Sequence, residues 1–132
     1  MKKKNFLTEE QARILLLPIH MALDLLPRGL FTAHHAADLV AFLTAIDFIA
    51  KNNNSTELRQ AVGRATAVLL HMQQRVEHGK AWNVTAEERE TLLTHILICD
   101  EAMQRQTVSN IKNALRATIK LCNKEHLKGI QK

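Results

Sequence analysis

Glycine and proline are scarce in this chain, with four and two copies respectively among 132 residues. A many-stranded sheet needs turn residues at short intervals, so this scarcity argues against an all-β fold. The glycines stand far apart, so there is no Gly-rich phosphate loop, and no Gly-x-Ser-x-Gly motif occurs. The Glu-x-x-His motif of diiron bundles is also absent. We therefore expect a protein that is not an enzyme and that uses no cofactor.

Cysteine is equally scarce, because Cys99 and Cys122 are the only two. Two cysteines do not make a disulfide framework. The most apolar stretch, residues 39–50, contains Asp47, and no uncharged run approaches the roughly 18 to 20 residues that span a bilayer. Lys2, Lys3 and Lys4 are followed by a charged segment and not by the apolar run of a signal peptide. We therefore expect a cytoplasmic protein without a membrane segment.

Apolar residues recur at intervals of three and four along most of the chain, which is the period of amphipathic helices. Thr8 to Gln11 and Thr85 to Glu88 form capping boxes, which mark helix N-termini. The apolar rows of the first and third predicted helices are Leu15, Ile19, Ala22, Leu26 and Leu58, Val62, Ala65, Leu69, Met72, Val76. We predict an all-α fold, a compact bundle of four to five helices. It forms a single domain over residues 1–132, with residues 1–7 and 127–132 frayed.

The last helical region carries two apolar rows that do not align. One row comprises Leu92, Ile96, Cys99 and Met103, and the other comprises Val108, Ile111, Leu115, Thr118 and Cys122. At 100° per residue the second row is rotated by roughly a quarter turn from the first. A single straight helix would not present both rows to one partner. We therefore predict that this long region is bent or broken near residues 104–109, where Thr107 and Ser109 are both competent caps.

The helix predicted over residues 32–51 is apolar nearly all round. Such a helix is either central in the fold or covered by another subunit. We favour a homodimer formed through this helix, because bundles of this size commonly associate symmetrically. At its start, His34, His35 and Asp38 form a polar patch. A histidine–carboxylate pair can act as a general base or hold a metal, but we interpret this patch as one that orients the helix start.

The excess of positive over negative charge in the chain lies at its C-terminal end. The formal net charge is +5, yet residues 102–132 hold seven basic side chains and one acidic one, Glu125. Five of these basic residues recur at intervals of four along one side of a helix. We call them the basic stripe: Lys112, Arg116, Lys120, Lys124 and Lys128. Together with Arg105 they are the predicted partner-binding residues, although a solvated face would have the same pattern.

Two histidine–cysteine pairs have a spacing that a zinc ion can use. His95 and Cys99 lie one helical turn apart, as do Cys122 and His126. Both cysteines fall on apolar rows, where a free cysteine usually acts as a small hydrophobic residue. We regard these four residues as weak metal-ligand candidates and predict no metal site.

Three functional hypotheses follow. The first is a small non-enzymatic interaction or regulatory protein, such as an adaptor, inhibitor or regulatory subunit, that presents its basic last helix to an acidic partner. The second is a dimeric nucleic-acid-binding regulator that contacts phosphates with the same helix. Neither Tyr, Phe nor Trp lies near the stripe, which argues against single-stranded nucleic acid. The third is a metal-binding helical bundle.

Overall fold

The structure is a computed structural model that describes the backbone of residues 5–130 and the side chains of residues 5–121. It contains five helices: α1 (Glu9–Leu25), α2 (Ala33–Asn52), α3 (Thr56–Glu77), α4 (Ala86–Gln104) and α5 (Val108–Ile130). Within residues 5–130 the only β-type pairing is one isolated bridge between Phe6 and Thr107. The prediction of an all-α bundle is confirmed.

Helix α2 is the central element of the bundle. It packs against α3, α5, α1 and α4, whereas α5 packs chiefly against α2 alone. Eight α2 residues are buried, and at 100° per residue they occupy about half of the helix circumference: Ala36, Leu39, Phe42, Leu43, Ala45, Ile46, Ile49 and Ala50. The neighbouring helices therefore cover one face of α2, whereas part of its apolar surface, including Val40 at 48% exposure, is open to solvent.

By length and composition alone, α2 could also cross a membrane. Its most apolar window has a mean hydropathy of 1.3 and includes two or fewer charged side chains, a looser criterion than the uncharged run sought in the sequence. A central helix of a folded bundle passes the same test, and α2 packs against four other helices. The feature is therefore weak support for a membrane span.

The predicted apolar rows differ in how well they match the core. The α4 row is fully buried, as are the first five residues of the α3 row. In α1, however, Leu16 is buried and Leu15 is 37% exposed, and in α5 Leu115 is 40% exposed. Leu15 and Leu115 thus lie on the predicted apolar rows but outside the core, because no neighbouring helix among the described residues covers them.

The segment before α1 is held in place by backbone hydrogen bonds. The Val108 N–H donates to the Asn5 carbonyl at 2.8 Å, and the Leu7 N–H donates to the Gln106 carbonyl at 3.4 Å. These bonds tie residues 5–7 to the turn before α5, and residues 127–130 belong to α5, while the fraying expected at the two ends stays a prediction. Residues 1–4 and 131–132 lie outside the described part of the chain.

Residues 105–107 separate α4 from α5. The Thr107 hydroxyl accepts a hydrogen bond from the Asn110 N–H at 3.2 Å, which satisfies one free donor at the start of α5. The Arg105 and Gln106 N–H groups donate to the Ala102 and Met103 carbonyls at the end of α4. One helix therefore ends and the next begins within a single turn.

An arginine–glutamate pair closes the connection between α3 and α4. Arg75 donates to both carboxylate oxygens of Glu88, at 3.1 and 2.8 Å, and also to the Asn83 carbonyl at 2.8 Å. Glu88 accepts from the Thr85 N–H at 3.0 Å as part of the predicted capping box. Burial acts to raise the pKa of Glu88, but the hydrogen bonds from Arg75 and Thr85 and the Arg75 charge outweigh it. The net result is a pKa lowered from 4.5.

Replacing Glu88 with Gln should destabilise the fold at neutral pH by about 1–2 kcal/mol, because a two-pronged charged hydrogen bond is lost. A carboxyl with a lowered pKa in the folded state stabilises the fold above its unfolded pKa, and this stabilisation is lost as pH falls through the folded pKa. The difference in unfolding free energy between wild type and Glu88→Gln should therefore disappear below about pH 4. Chemical denaturation at several pH values measures it.

Glu87→Gln is the matched control, since Glu87 lies in the same first turn of α4, is exposed and forms no ion pair with a described residue. Its effect should be a few tenths of a kcal/mol, the size of a helix-dipole contribution. A Glu88→Gln variant with the same small, pH-independent effect as Glu87→Gln would show that the Arg75 pair does not stabilise the fold.

Candidate partner-binding surface

The described part of the basic stripe lies on the outward face of α5. Lys112, Arg116 and Lys120 are exposed, while Ile111, Ala114 and Thr118 of the same helix are buried. None of the three basic residues forms an ion pair with a carboxylate of residues 5–121. The side chains of Lys124 and Lys128 lie outside the described residues. Three like charges about 6 Å apart along the helix axis therefore face solvent.

Arg105 is separate from the stripe. It lies in the turn before α5 and lines a polar cleft of about 450 Å³ between the start of α3 and the end of α4. Glu57 and Glu101 line the same cleft. The structure thus groups Lys112, Arg116 and Lys120 but places Arg105 near acidic residues on another surface.

An apolar groove runs beside the stripe, between α1 and α5, and we call it the α1/α5 groove. One part has a volume of about 280 Å³, with Leu15 and Pro18 on the α1 wall, Leu115 and Ile119 on the α5 wall, and Phe42 in the floor. The adjoining part, of about 320 Å³, extends past Ile14 to Leu7 and Val108. Leu15, Ile111 and Leu115 line both parts. The groove follows α5 for about three turns.

Few polar groups line this groove. Lys112 lies at its edge and belongs to the basic stripe, and Gln11 and Thr118 are the neutral polar residues. Asp38 is the one acidic residue among those that line it, and its carboxylate lies 3.7 Å from the His34 Nε2. The groove is therefore an apolar surface with a basic edge on the α5 side.

Of the four weak metal-ligand candidates, the structure describes the side chains of His95 and Cys99. Cys99 is fully buried, and burial, together with the neighbouring Asp100 charge, raises the pKa of its thiol to about 12. A zinc-binding cysteine must lose its proton, so this environment disfavours a ligand role. The His95 Nδ1 lies 2.7 Å from the Thr91 carbonyl. Among the described residues no group of three potential ligands converges, and the side chains of Cys122 and His126 lie outside them.

The polar patch at the start of α2 has a structural role. The Thr32 N–H donates to the His35 Nδ1 at 2.9 Å, so His35 takes the place that Glu or Gln occupies in a usual capping box. The His35 ring also packs against Phe31, with the ring centroids 5.6 Å apart and the ring planes tilted by 41°. His34 is exposed and lies near Asp38. These contacts fit the interpretation that the patch orients the helix start.

A histidine–aspartate pair that the sequence pattern did not reveal connects α1 to α4. The His20 Nε2 lies 2.7 Å from an oxygen of the buried Asp100, and the Gln104 Nε2 donates to the other oxygen at 2.7 Å. One available signal was that Asp100 lies four residues after Ile96, on the buried side of α4. The carboxylate is satisfied on both oxygens, as a buried charge must be.

Comparison with known proteins found no match: no family model, no curated protein and no solved structure resembles the chain significantly.

The buried thiol gives a direct chemical prediction. In a Cys122→Ser variant, where Cys99 is the only thiol, a thiol reagent at pH 8 should react at least about tenfold more slowly with the native protein than with the protein in denaturant, because only the thiolate reacts. Absorbance of the released chromophore measures both rates. Equal rates before and after denaturation would contradict the buried, protonated thiol. They would also restore Cys99 as a ligand candidate.

Proposed function

We propose that the protein is a small, non-enzymatic interaction or regulatory protein that binds an acidic partner through the outward face of α5. The observation that carries the proposal is the row formed by Lys112, Arg116 and Lys120, which is exposed and unpaired among the described residues. Unpaired charges of one sign on a rigid helix attract and orient a partner of opposite charge. Lys124 and Lys128 extend the row in sequence.

An acidic protein suits this face better than a nucleic acid. The apolar side chains of Leu115 and Ile119 lie next to the stripe, and apolar surface has no counterpart on a phosphate backbone. No Phe, Tyr or Trp occurs within α5, so the helix lacks the aromatic side chains that most often stack on single-stranded bases. A partner that offers both carboxylates and apolar side chains would satisfy both features.

The arrangement of the helices supports a role for α5 in binding. The turn formed by residues 105–107 ends α4, and α5 packs on α2 with its opposite face toward solvent. The homodimer predicted through residues 32–51 stays a separate proposal, and Val40 of this helix is 48% exposed. A cytoplasmic location remains part of the proposal.

Reversing the charge of the stripe should abolish partner binding. We expect a variant with Lys112, Arg116, Lys120 and Lys124 each replaced by Glu to lose at least about tenfold in capture of its partner from native cells, because four attractive contacts become repulsive. Affinity capture with quantitative mass spectrometry, with and without nuclease, measures the loss. Capture that resists nuclease indicates a protein partner.

The matched control reverses four other exposed basic residues and produces the same change in net charge: Arg59, Arg64, Lys80 and Arg89. The control variant should still capture the partner, because these residues lie on α3, in the loop after α3 and in the first turn of α4. Equal loss in both variants would show a general charge effect, and retention by the stripe variant would overturn the proposal.

The nucleic-acid alternative makes a separate prediction. If the stripe neutralised about four phosphates of a duplex, log K would fall with log salt concentration at a slope of about −3 to −4. Fluorescence anisotropy with labelled duplex DNA between low and physiological salt measures this slope. We expect no saturable binding at physiological salt, and tight, sequence-dependent binding there would favour the alternative.

A further inference from the structure

Two helices of the bundle carry apolar faces that nothing among the described residues covers. Leu15 and Leu115 continue the helical periodicity of core positions, yet both are exposed and line opposite walls of the α1/α5 groove. Ile14 and Ile119 extend this surface and are 65% and 59% exposed. The periodic pattern that buries side chains elsewhere in the bundle is thus present on both walls without a helix between them.

From this geometry we propose, as an extension of the function proposed above, that the α1/α5 groove binds an amphipathic α-helix of the partner. The partner helix would place apolar residues at positions i, i+3 or i+4, and i+7 into the groove. It would carry Asp or Glu on the side that faces Lys112, Arg116 and Lys120. The site thus recognises an acidic amphipathic helix and not an extended acidic segment.

The dimensions of the groove fit such a helix. From Val108 to Ile119 the α5 wall rises by about 16 Å, which is about three turns of an α-helix. Phe42, Ala41 and Ala45 of α2 form the floor, and two of these are small residues, which lets an incoming helix approach closely. Three turns supply the three or four apolar anchors typical of helix-in-groove recognition.

The basic residues at the edge of the groove favour a partner with negative charge. Lys112 lines the groove, and Arg116 and Lys120 follow at intervals of four on the same helix, so a neighbouring helix with carboxylates at the same interval would face them. Asp38 has His34 beside it within the protein. Each ion pair at such an edge adds specificity and association rate more than affinity.

A second copy of the chain is a poorer occupant. A two-fold contact through the α5 wall would bring one basic stripe against the other. Like charges that face each other across an interface repel and disfavour the complex. The charge of the stripe therefore argues for a different, acidic molecule.

A peptide selection against the whole chain tests the proposal while the partner is still unidentified. A display library of helix-forming peptides of about 18 residues, or about five turns, is randomised at all positions exposed on the peptide helix. Peptides that bind the immobilised wild-type chain are selected. We expect the bound peptides to be enriched in apolar residues at the i, i+3/i+4, i+7 spacing and in Asp or Glu beside them. The best peptide is then synthesised, and its Kd is measured by fluorescence anisotropy.

Paired variants locate the binding site of that peptide. Leu115→Gln with Ile119→Gln should weaken binding by at least about tenfold, since central apolar anchors dominate interface energies. The control is Leu93→Gln with Leu97→Gln on α4, which has the same four-residue spacing and closely matched exposures, 37% and 58% against 40% and 59%. Gln is a good helix former, and circular dichroism of both variants confirms that they fold.

Several outcomes would overturn the inference. They are the absence of any selected peptide, selection without acidic enrichment, or equal Kd values for the groove variant and wild type. Concentration-dependent dimerisation in sedimentation velocity that is lost only in the groove variant would assign the groove to a second copy instead. The proposed function is tested apart from the groove: a partner from cells that the stripe variant loses and the groove variant keeps would support that function and refute this inference.

Discussion

The burial of one face of α2 by the other helices is the constraint on which the structure depends. A helix this apolar is stable in water only if neighbours cover a large part of it, and the side chains of Leu39, Ile46 and Ala50 on its covered face are completely buried. Helices α1, α3 and α5 each pack directly on α2, whereas α4 packs mainly on α3. This explains why α5, which packs chiefly on α2, has so wide an exposed face.

The candidate surface follows from this arrangement. Because α1 and α5 both cover α2 without covering each other, each contributes part of an apolar face to the groove between them. The basic stripe lies on the solvent side of α5, beside that groove. Charge and apolar surface thus occur together, a combination typical of protein interfaces with a polar edge around an apolar centre. Either feature alone would have an ordinary explanation as a solvated face or a shallow surface depression.

Local features were predictable because they depend on residues close in sequence. The capping boxes at Thr8 and Thr85 form as their residue patterns predict, and the apolar rows of α3 and α4 are largely buried. The His20–Asp100 and Arg75–Glu88 pairs were not predicted, since each joins two helices whose relative placement depends on packing. The basic stripe was predictable from its four-residue repeat. That it forms no ion pair with a described residue, and that Arg105 lies apart from it, could be seen only in the structure.

The sequence by itself determined that the chain is helical, where its helices begin and that its positive charge lies on the last one, because these properties follow from local hydrogen bonding and periodicity. Only the tertiary structure decided which apolar residues are core and which form a binding surface. Leu15 and Leu16 are equally apolar, and so are Ile111 and Leu115, yet one member of each pair is buried and the other lines a groove. The difference depends on which neighbouring helix is present at each position, and no local pattern contains that information.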